Sequence, residues 1–569
     1  LSSRAKLLNE ENRLLRERFL LNTHRLTVVL KPDPQHQSRE DVLFAERMKT
    51  LRAGLTADET KRIAREAAEL QESSGAPNPP EAVALLPQLS VSDLPAKPRH
   101  IPTSAHQLGG GSELLVNDVF SNGVCYLDLD LDIQGLPRDQ WRYLARYVDA
   151  MLKVGAAGMN YEGVSNRIAA CTGGIGCWPT FQTHTSGPEA RMYSLRLAVK
   201  TLEDRIEPAL AIVLDIVFAL DPGDKRRLRD LLAQDLAQYR TDLVFGAGAP
   251  ASHAARGLTQ ETYLYNLIAG LPQLSLLKEL TGDFAVNADD LIEKIRQIGR
   301  FLLGRPRITA SFTGPDRAAD TVKHVLSGWL SCAQAGGPRA GGTGFEPFRE
   351  PPREGLAAPV QVGHCAMVMP APHFSHPDSL PIHVGAHIVG MDYILNEIRF
   401  KGNAYGGSCR YDSFGSLFYL GSYRDPHVER TLRVFTGLAE HVRNASWTQA
   451  DIDRAIIGVA KNDERPIRPE AATHQALLRR LTGLTRDIRE ERHARLKTLT
   501  PADVRSAMLA LMEAGRGRAS FCALSSRAKL EEANRKMPDR PLDIRDIEPQ
   551  ENDAAGEDER GTRNSERGR

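Results

Sequence analysis

The chain has 569 residues, 41% hydrophobic and 25% charged, with a formal net charge of +1. That is an ordinary globular composition, long enough for about three to five domains of ~100–200 residues. The near-neutral balance argues against nucleic acid or a membrane as partner, and no apolar run approaches the ~20 residues that span a bilayer.

The seven cysteines are scattered and form no Cys-x-x-Cys pair. This argues against a disulfide framework or a cysteine–zinc site and fits a reducing compartment. The opening residues Leu1 to Lys6 lack an initiator Met and the apolar core of a signal peptide, so the sequence reads as beginning mid-protein.

Residues 1–37 read as a charged helix followed by a strand at 24–31, closed by Pro32-Asp33-Pro34. A lone strand is no domain, so it is expected to complete a sheet of a preceding domain. Residues 38–103 read as a linker, a helical hairpin broken near Gly54 and then an extended connector. Thr56-Ala57-Asp58-Glu59 resembles a capping box opening the second helix, and the connector carries seven prolines between Pro77 and Pro102.

A first α/β domain is expected over 104–332. Leu127, Leu129, Leu131 and Ile133 alternate with Asp128, Asp130 and Asp132, the period of a half-buried strand. Trp141, Leu144, Val148, Met151 and Leu152 recur at helical spacing. Further on, 190–200 reads as a strand, 202–240 as two long helices, 288–303 as a helix, 307–313 as a strand and 317–329 as a helix.

Residues 333–356, rich in glycine and proline, read as an interdomain linker. A second domain is expected over 357–530. It has strands near 360–369, after 404, after 415 and at 519–524, with helices at 380–400, 426–443, 449–461, 470–485 and 501–514. The remainder, 531–569, reads as a charged, disordered tail. Leu1–Leu7 repeats as Leu524–Leu530, which fits a gene-model artefact as well as a structural repeat.

The strongest local signal runs from Asn396 through Ile398, Arg399, Gly402, Ala404 and Tyr405 to Gly406 and Gly407. A helix is expected to end here with Gly402 in the left-handed position, placing Arg399 and Tyr405 on either side of a helix-to-strand turn. Local pattern alone favours an ordinary glycine cap beside a surface arginine.

The segment also resembles the Arg-x-x-Gly-x-Ala-Tyr-Gly motif in the C-terminal half of pitrilysin-family (M16) metallopeptidases. Tyr423-Arg424-Asp425-Pro426-His427 resembles the presequence-protease branch, subfamily C of M16. So do Phe120-Ser121-Asn122-Gly123-Val124-Cys125-Tyr126, Gly135-Leu136-Pro137 and Thr172-Gly173-Gly174. The resemblance covers roughly 20–530. It implies two pitrilysin-type α+β domains, each a mostly antiparallel sheet packed with helices, preceded by the hairpin linker.

It further implies a zinc metalloendopeptidase acting on short unstructured peptides, presequences among them, with zinc held by an N-terminal half on an inverted His-x-x-Glu-His helix. That motif is absent here: Leu438-Ala439-Glu440-His441 has Gly437 where the first His belongs, and the matching helix at Arg146–Ala150 has no histidine. Zinc is therefore expected on the N-terminal partner half, and this chain alone is expected to be inactive. By the same resemblance Arg399 and Tyr405 are the catalytic, substrate-holding pair, framed by Gly402, Ala404 and Gly406. A guanidinium and a phenol suit a peptide carbonyl and its oxyanion. Asn403 stands where presequence proteases often carry glycine, an exchange expected to be tolerated.

Other motifs are weaker. His383 and His387 are spaced i, i+4, with His373 and His376 nearby, but no intervening acid supplies a base, and core or surface histidines explain them better. Gly173-Gly174-Ile175-Gly176 and Gly341-Gly342-Thr343-Gly344 lack the following Gly-Lys-Ser/Thr of a phosphate loop, and there is no G-x-S-x-G elbow. The rival reading is a non-catalytic peptide-binding or scaffold subunit. The expected compartment is the cytoplasm if bacterial, otherwise the mitochondrial matrix or plastid stroma.

Overall fold

The computed structural model describes residues 10–547, apart from Pro32, Pro34, 76–77, Gln88, Ala247, 305–306 and 333–340. The chain forms two units, Leu1–Asn78 and Pro79–Arg569.

In the first unit, residues 10–20 are helical and the expected hairpin is present as helices His36–Gly54 and Ala57–Gly75. Thr56 and Glu59 close the capping box: Glu59 N–H donates to Thr56 Oγ1 at 3.2 Å, and Thr56 N–H to Glu59 Oε2 at 2.9 Å. Residues 24–31 do not form the expected strand. A ladder needs a neighbour for its N–H and C=O groups, and no described residue supplies one. The segment leaves Leu26 at 86% and Leu30 at 92% exposure.

The second unit holds two six-stranded sheets. The first contains β1 (Thr103–Gly109), β2 (Ser112–Asn117), β3 (Val124–Asp132), β5 (Gly174–His184), β6 (Gly187–Leu202) and β8 (Ile308–Thr313). Two-residue strands β4 (Gly155–Ala156) and β7 (Leu220–Asp221) pair separately. The second sheet contains β9 (Arg353–Ala357), β10 (His364–Pro370), β11 (Gly406–Asp412), β12 (Leu417–Tyr423), β13 (Ser520–Ser525) and β14 (Asp543–Asp546).

The spatial orders are β1-β2-β8-β3-β6-β5 and β14-β9-β13-β10-β12-β11. They correspond place by place. β2–β8 and β9–β13 are parallel; β8–β3–β6–β5 and β13–β10–β12–β11 are antiparallel throughout. Only the outer pairs differ, β1–β2 antiparallel and β14–β9 parallel. Two mostly antiparallel α+β domains are thus present, as expected. No helix among the described residues is long and apolar enough to cross a membrane.

Each sheet packs its own helices on one face. Leu127, Leu129 and Leu131 of β3 meet Trp141, Tyr147 and Met151 in the first core; Met367 and Met369 of β10 meet Phe435, Leu438 and Met508 in the second. The opposite face of each sheet is covered by a helix of the other domain. Pro469–Thr482 lies against β2, β3 and β8, and Gly248–Ala255 lies against β10 and β13. This exchange corrects the half-buried reading of β3, because Asp128 and Asp130 are as buried as the leucines between them.

The buried acids are matched with bases, as burial of charge demands. Arg196 Nε donates to Asp130 Oδ1 at 2.8 Å, and His474 of the covering helix sits 3.3 Å from Asp128 Oδ2. On the second sheet, Glu354 accepts from Arg256 Nη2 at 3.0 Å and lies 3.2 Å from His253 Nε2.

Other boundaries shift. The expected linker 333–356 ends in strand β9, and part of the expected tail 531–569 is structured: helix Arg527–Lys536 and β14 lie within or across it. β9 reads poorly in sequence because it is five residues long and follows prolines. Residues 548–569 lie outside the described residues, as does Leu1–Leu7 of the repeat; its counterpart ends β13 and opens the last helix, with Ser526 as its cap. The Pro-rich connector is anchored on helix Arg486–Leu496: Arg489 Nη1 donates to Arg99 O at 3.0 Å, and Lys97 pairs with Glu490 at 2.7 Å.

Candidate functional site

The helix that begins at Ser379 runs on to Phe400, with its last turns widened to i→i−5 hydrogen bonds, such as Lys401 N–H to Asn396 O at 3.0 Å. Such wide turns are rare and concentrate at functional sites. The helix then closes on a left-handed residue. That residue is Asn403, at φ 58°, and not Gly402 as expected. Asn403 N–H donates to Arg399 O at 3.0 Å and Ala404 N–H to Ile398 O at 3.1 Å, which ties off the end carbonyls.

Asparagine visits this region more readily than other L residues, which explains why it replaces a glycine here. Gly402 is required for a different reason. A Cβ there would stand 2.5 Å from Ile398 O, inside the closing turn. Gly407 is similar, its absent Cβ falling 2.9 Å from Ile394 O. Ala404 is buried, while a Cβ on Gly406 would meet nothing.

Arg399 and Tyr405 emerge from the two sides of this turn. Tyr405 is 67% exposed, and its ring stands edge-on to Tyr423 at 5.6 Å and 82°. Tyr423 lies opposite Gly406 in the ladder and stacks on His364 at 5.2 Å and 26°. Arg399 is exposed, 5.8 Å from the Phe400 ring centroid, and makes no salt bridge among the described residues. Both side chains therefore face solvent from a backbone fixed by the cap.

The neighbouring turn is also constrained. Arg424 adopts φ 47°, its N–H donating to His364 Nδ1 at 3.3 Å. Buried Asp425 accepts from His427 N–H at 2.9 Å and Thr431 Oγ1 at 2.6 Å, and exchanges backbone bonds with Gly363. Tyr423 and Arg424 lay in the quoted motif without a role; His364 was missed, since nothing local in sequence links it to a strand 60 residues away.

The remaining sequence candidates are not brought together. His387 packs against Gly458, and His383 stands edge-on to Tyr411 at 6.2 Å; burial lowers the pKa of both. His373 Nε2 bonds Thr183 Oγ1 at 3.0 Å, and His376 Nδ1 accepts from Asp378 N–H at 3.1 Å. Among the described residues no three His, Cys, Asp or Glu side chains group to hold a metal, so the residues of this chain do not fit zinc. In helix Leu144–Lys153, where the family's metal-binding helix would fall, Arg146 pairs with Asp149 at 2.9 Å and with Asp235.

Two family models match this architecture: the domain associated with peptidases of M16 subfamily C over residues 30–280, and the PreP C-terminal domain over 374–508. The chain belongs to the M16 peptidase family, subfamily C. It corresponds to a C-terminal half of such a peptidase. The chain is 23% identical over 524 residues to Presequence protease 1, chloroplastic/mitochondrial, of Arabidopsis thaliana, covering 92% of this chain and 48% of that protein. It is 23% identical to the mitochondrial presequence protease of Xenopus tropicalis, covering 88% and 51%. The chain thus spans about half the length of the curated relatives it matches. The fold is that of the peptidase M16 inactive domain from Pseudomonas fluorescens, at TM-score 0.53 and 15% identity, over 75% of this chain and 98% of that one.

Proposed function

We propose that this C-terminal peptidase half is the substrate-holding part of a zinc metalloendopeptidase that degrades short unstructured peptides, with zinc supplied by an N-terminal half. The observation that carries this is the pairing of Arg399 and Tyr405, both solvent-facing and both on one capped turn. The planar fork of Arg399 and the phenol of Tyr405 hold and polarise a peptide carbonyl, and donate to the oxyanion that develops on it. Gly402, Ala404 and Gly406 fix the turn and leave open space beside it for a peptide backbone. The bare apolar segment 24–31 supports a missing partner, since its exposed Leu26, Val28 and Leu30 suit the edge of a sheet. Relatives named as mitochondrial or chloroplastic support an organellar setting.

The test pairs the purified chain with an N-terminal half bearing His-x-x-Glu-His. Chelator-sensitive cleavage of a quenched unstructured peptide is expected, falling ~10²–10³-fold in Arg399→Ala or Tyr405→Phe. Near-wild-type turnover in both variants would remove these roles. Peptide binding with no cleavage by the pair would leave a non-catalytic binding subunit.

A further inference from the structure

A cleft of about 490 Å³ opens between the two domains of the second unit. Edge strand β5 forms one wall and the β11–β12 hairpin the other, with Phe181, Ala251, Tyr265, Arg410, Phe414 and Tyr419 among its lining residues. The two aromatic walls come from different domains, so the cleft exists only because each domain docks a helix on the other.

The cleft continues the Arg399–Tyr405 site. Residues two apart share a face of a strand, so Tyr423, Gly421 and Tyr419 of β12 face the same side as Gly406, Ser408 and Arg410 of β11. Tyr405 touches this ribbon at Tyr423, and the cleft touches it at Tyr419 and Arg410. At ~3.3 Å per residue, the five to seven residues from Tyr405 to Asp412 span ~17–24 Å, a reach an extended peptide covers in the same number of residues.

Charge in the cleft is internally balanced. Arg410 lies over the Tyr419 ring at 4.3 Å and 3.9 Å from Asp412; Glu261 meets Arg191 at 3.3 Å and Tyr193 OH at 2.9 Å. An ionic occupant therefore gains little, and an apolar or aromatic one gains burial. The Ser252 hydroxyl, buried in the wall, has no hydrogen-bond partner among the described residues and is available to a peptide group.

We propose that this cleft is a second anchoring subsite, which takes a bulky apolar side chain of an extended peptide about six residues from the one held at Tyr405. It rests on the reading of Arg399 and Tyr405 as a peptide site and adds a spacing rule to it. Specificity then depends on where two apolar residues fall in an unstructured peptide.

The experiment measures fluorescence anisotropy of fluorescein-labelled Gly/Ser peptides with the full chain. One peptide carries a single Phe, a second two Phe three residues apart, a third two Phe six apart. The third should bind about tenfold tighter than the others, the value of burying one aromatic side chain against partial exposure. Tyr265→Ala should remove that advantage and leave single-Phe binding unchanged, while Arg399→Ala weakens all three. Affinity independent of spacing, or untouched by Tyr265→Ala, overturns the cleft proposal while Arg399 dependence keeps the peptide site. Equal binding by wild type, Arg399→Ala and Tyr405→Phe, or no binding of any peptide, overturns the peptide site itself and the subsite with it.

Discussion

His253 and Glu354 meet at 3.2 Å across the boundary between the two domains, the imidazole on a helix of the first and the carboxylate on β9 of the second. Burial pushes the Glu354 carboxyl up, but hydrogen bonds from His253 and Arg256 outweigh it and hold the group at about 2. Burial keeps His253 below its usual 6.5, so the ring is a neutral donor and Arg256 supplies the charge.

Both shifts act in one direction. A depressed glutamate stabilises the fold above its unfolded value of 4.5 and loses that contribution as pH falls toward 2. A depressed histidine binds its proton more readily when unfolded, so stability starts to fall below 6.5. Urea midpoints should drop from pH 7 to 5 and more steeply below 4.5. Glu354→Gln should cost on the order of 3 kcal/mol at pH 7, because it strands the Arg256 guanidinium. A midpoint unchanged by that substitution would show that the pair contributes nothing.

The closing turn of the candidate site makes a prediction about Asn403. At φ 58° an asparagine is tolerated, a glycine is at home, and a β-branched residue is strained. Asn403→Gly should leave thermal stability within about 0.5 kcal/mol, whereas Asn403→Val should lose about 1–2 kcal/mol. Equal melting temperatures for the two variants would contradict the left-handed cap.

Gly402→Ala should be worse than its small size implies, since the new Cβ falls 2.5 Å from Ile398 O. Relief requires moving the turn that carries Arg399 and Tyr405. Peptide affinity should fall together with stability, measured by anisotropy and thermal melting on the same sample. A variant that melts early and binds normally would separate Gly402 from the site.

Gly483 ends helix Pro469–Thr482 at φ 68°, with Leu484 N–H donating to Arg479 O at 2.9 Å. It also abuts the His184 ring of the first domain, and Thr185 N–H donates to Thr482 O at 2.8 Å. Gly483→Ala combines left-handed strain of ~1–2 kcal/mol with a clash at the domain boundary. A loss of at least ~2 kcal/mol in urea unfolding is expected. A smaller loss would mean that the His184 ring swings aside freely.

Much of the fold was legible because each domain repeats simple periods. The alternation in β3, the capping box at Thr56 and the helix ending near Asn403 all rest on local chemistry. The misses share a cause as well. β5, β9 and β14 have weak patterns, since their burial comes from strands far away in sequence, and residues 248–282 form helices whose apolar residues serve another domain. Asp128 and Asp130 read as solvent-facing because nothing nearby announces that a helix some 340 residues on will cover them. The site itself was located through Arg399 and Tyr405, while His364, Tyr423 and Arg424 became visible only when two strands were laid side by side.

The helix exchange has a consequence for how such a protein can be divided. A cut between residues 341 and 352 would separate two cores that each look complete. Yet each fragment would keep a helix with no sheet to cover and a sheet face stripped of its cover, with Val368, Cys522 and Leu524 bared on one side. Exposed sheet faces of that kind invite aggregation. The two domains are therefore an inseparable pair, to be expressed, swapped or inherited together, and the peptide they meet is read by surfaces neither owns alone.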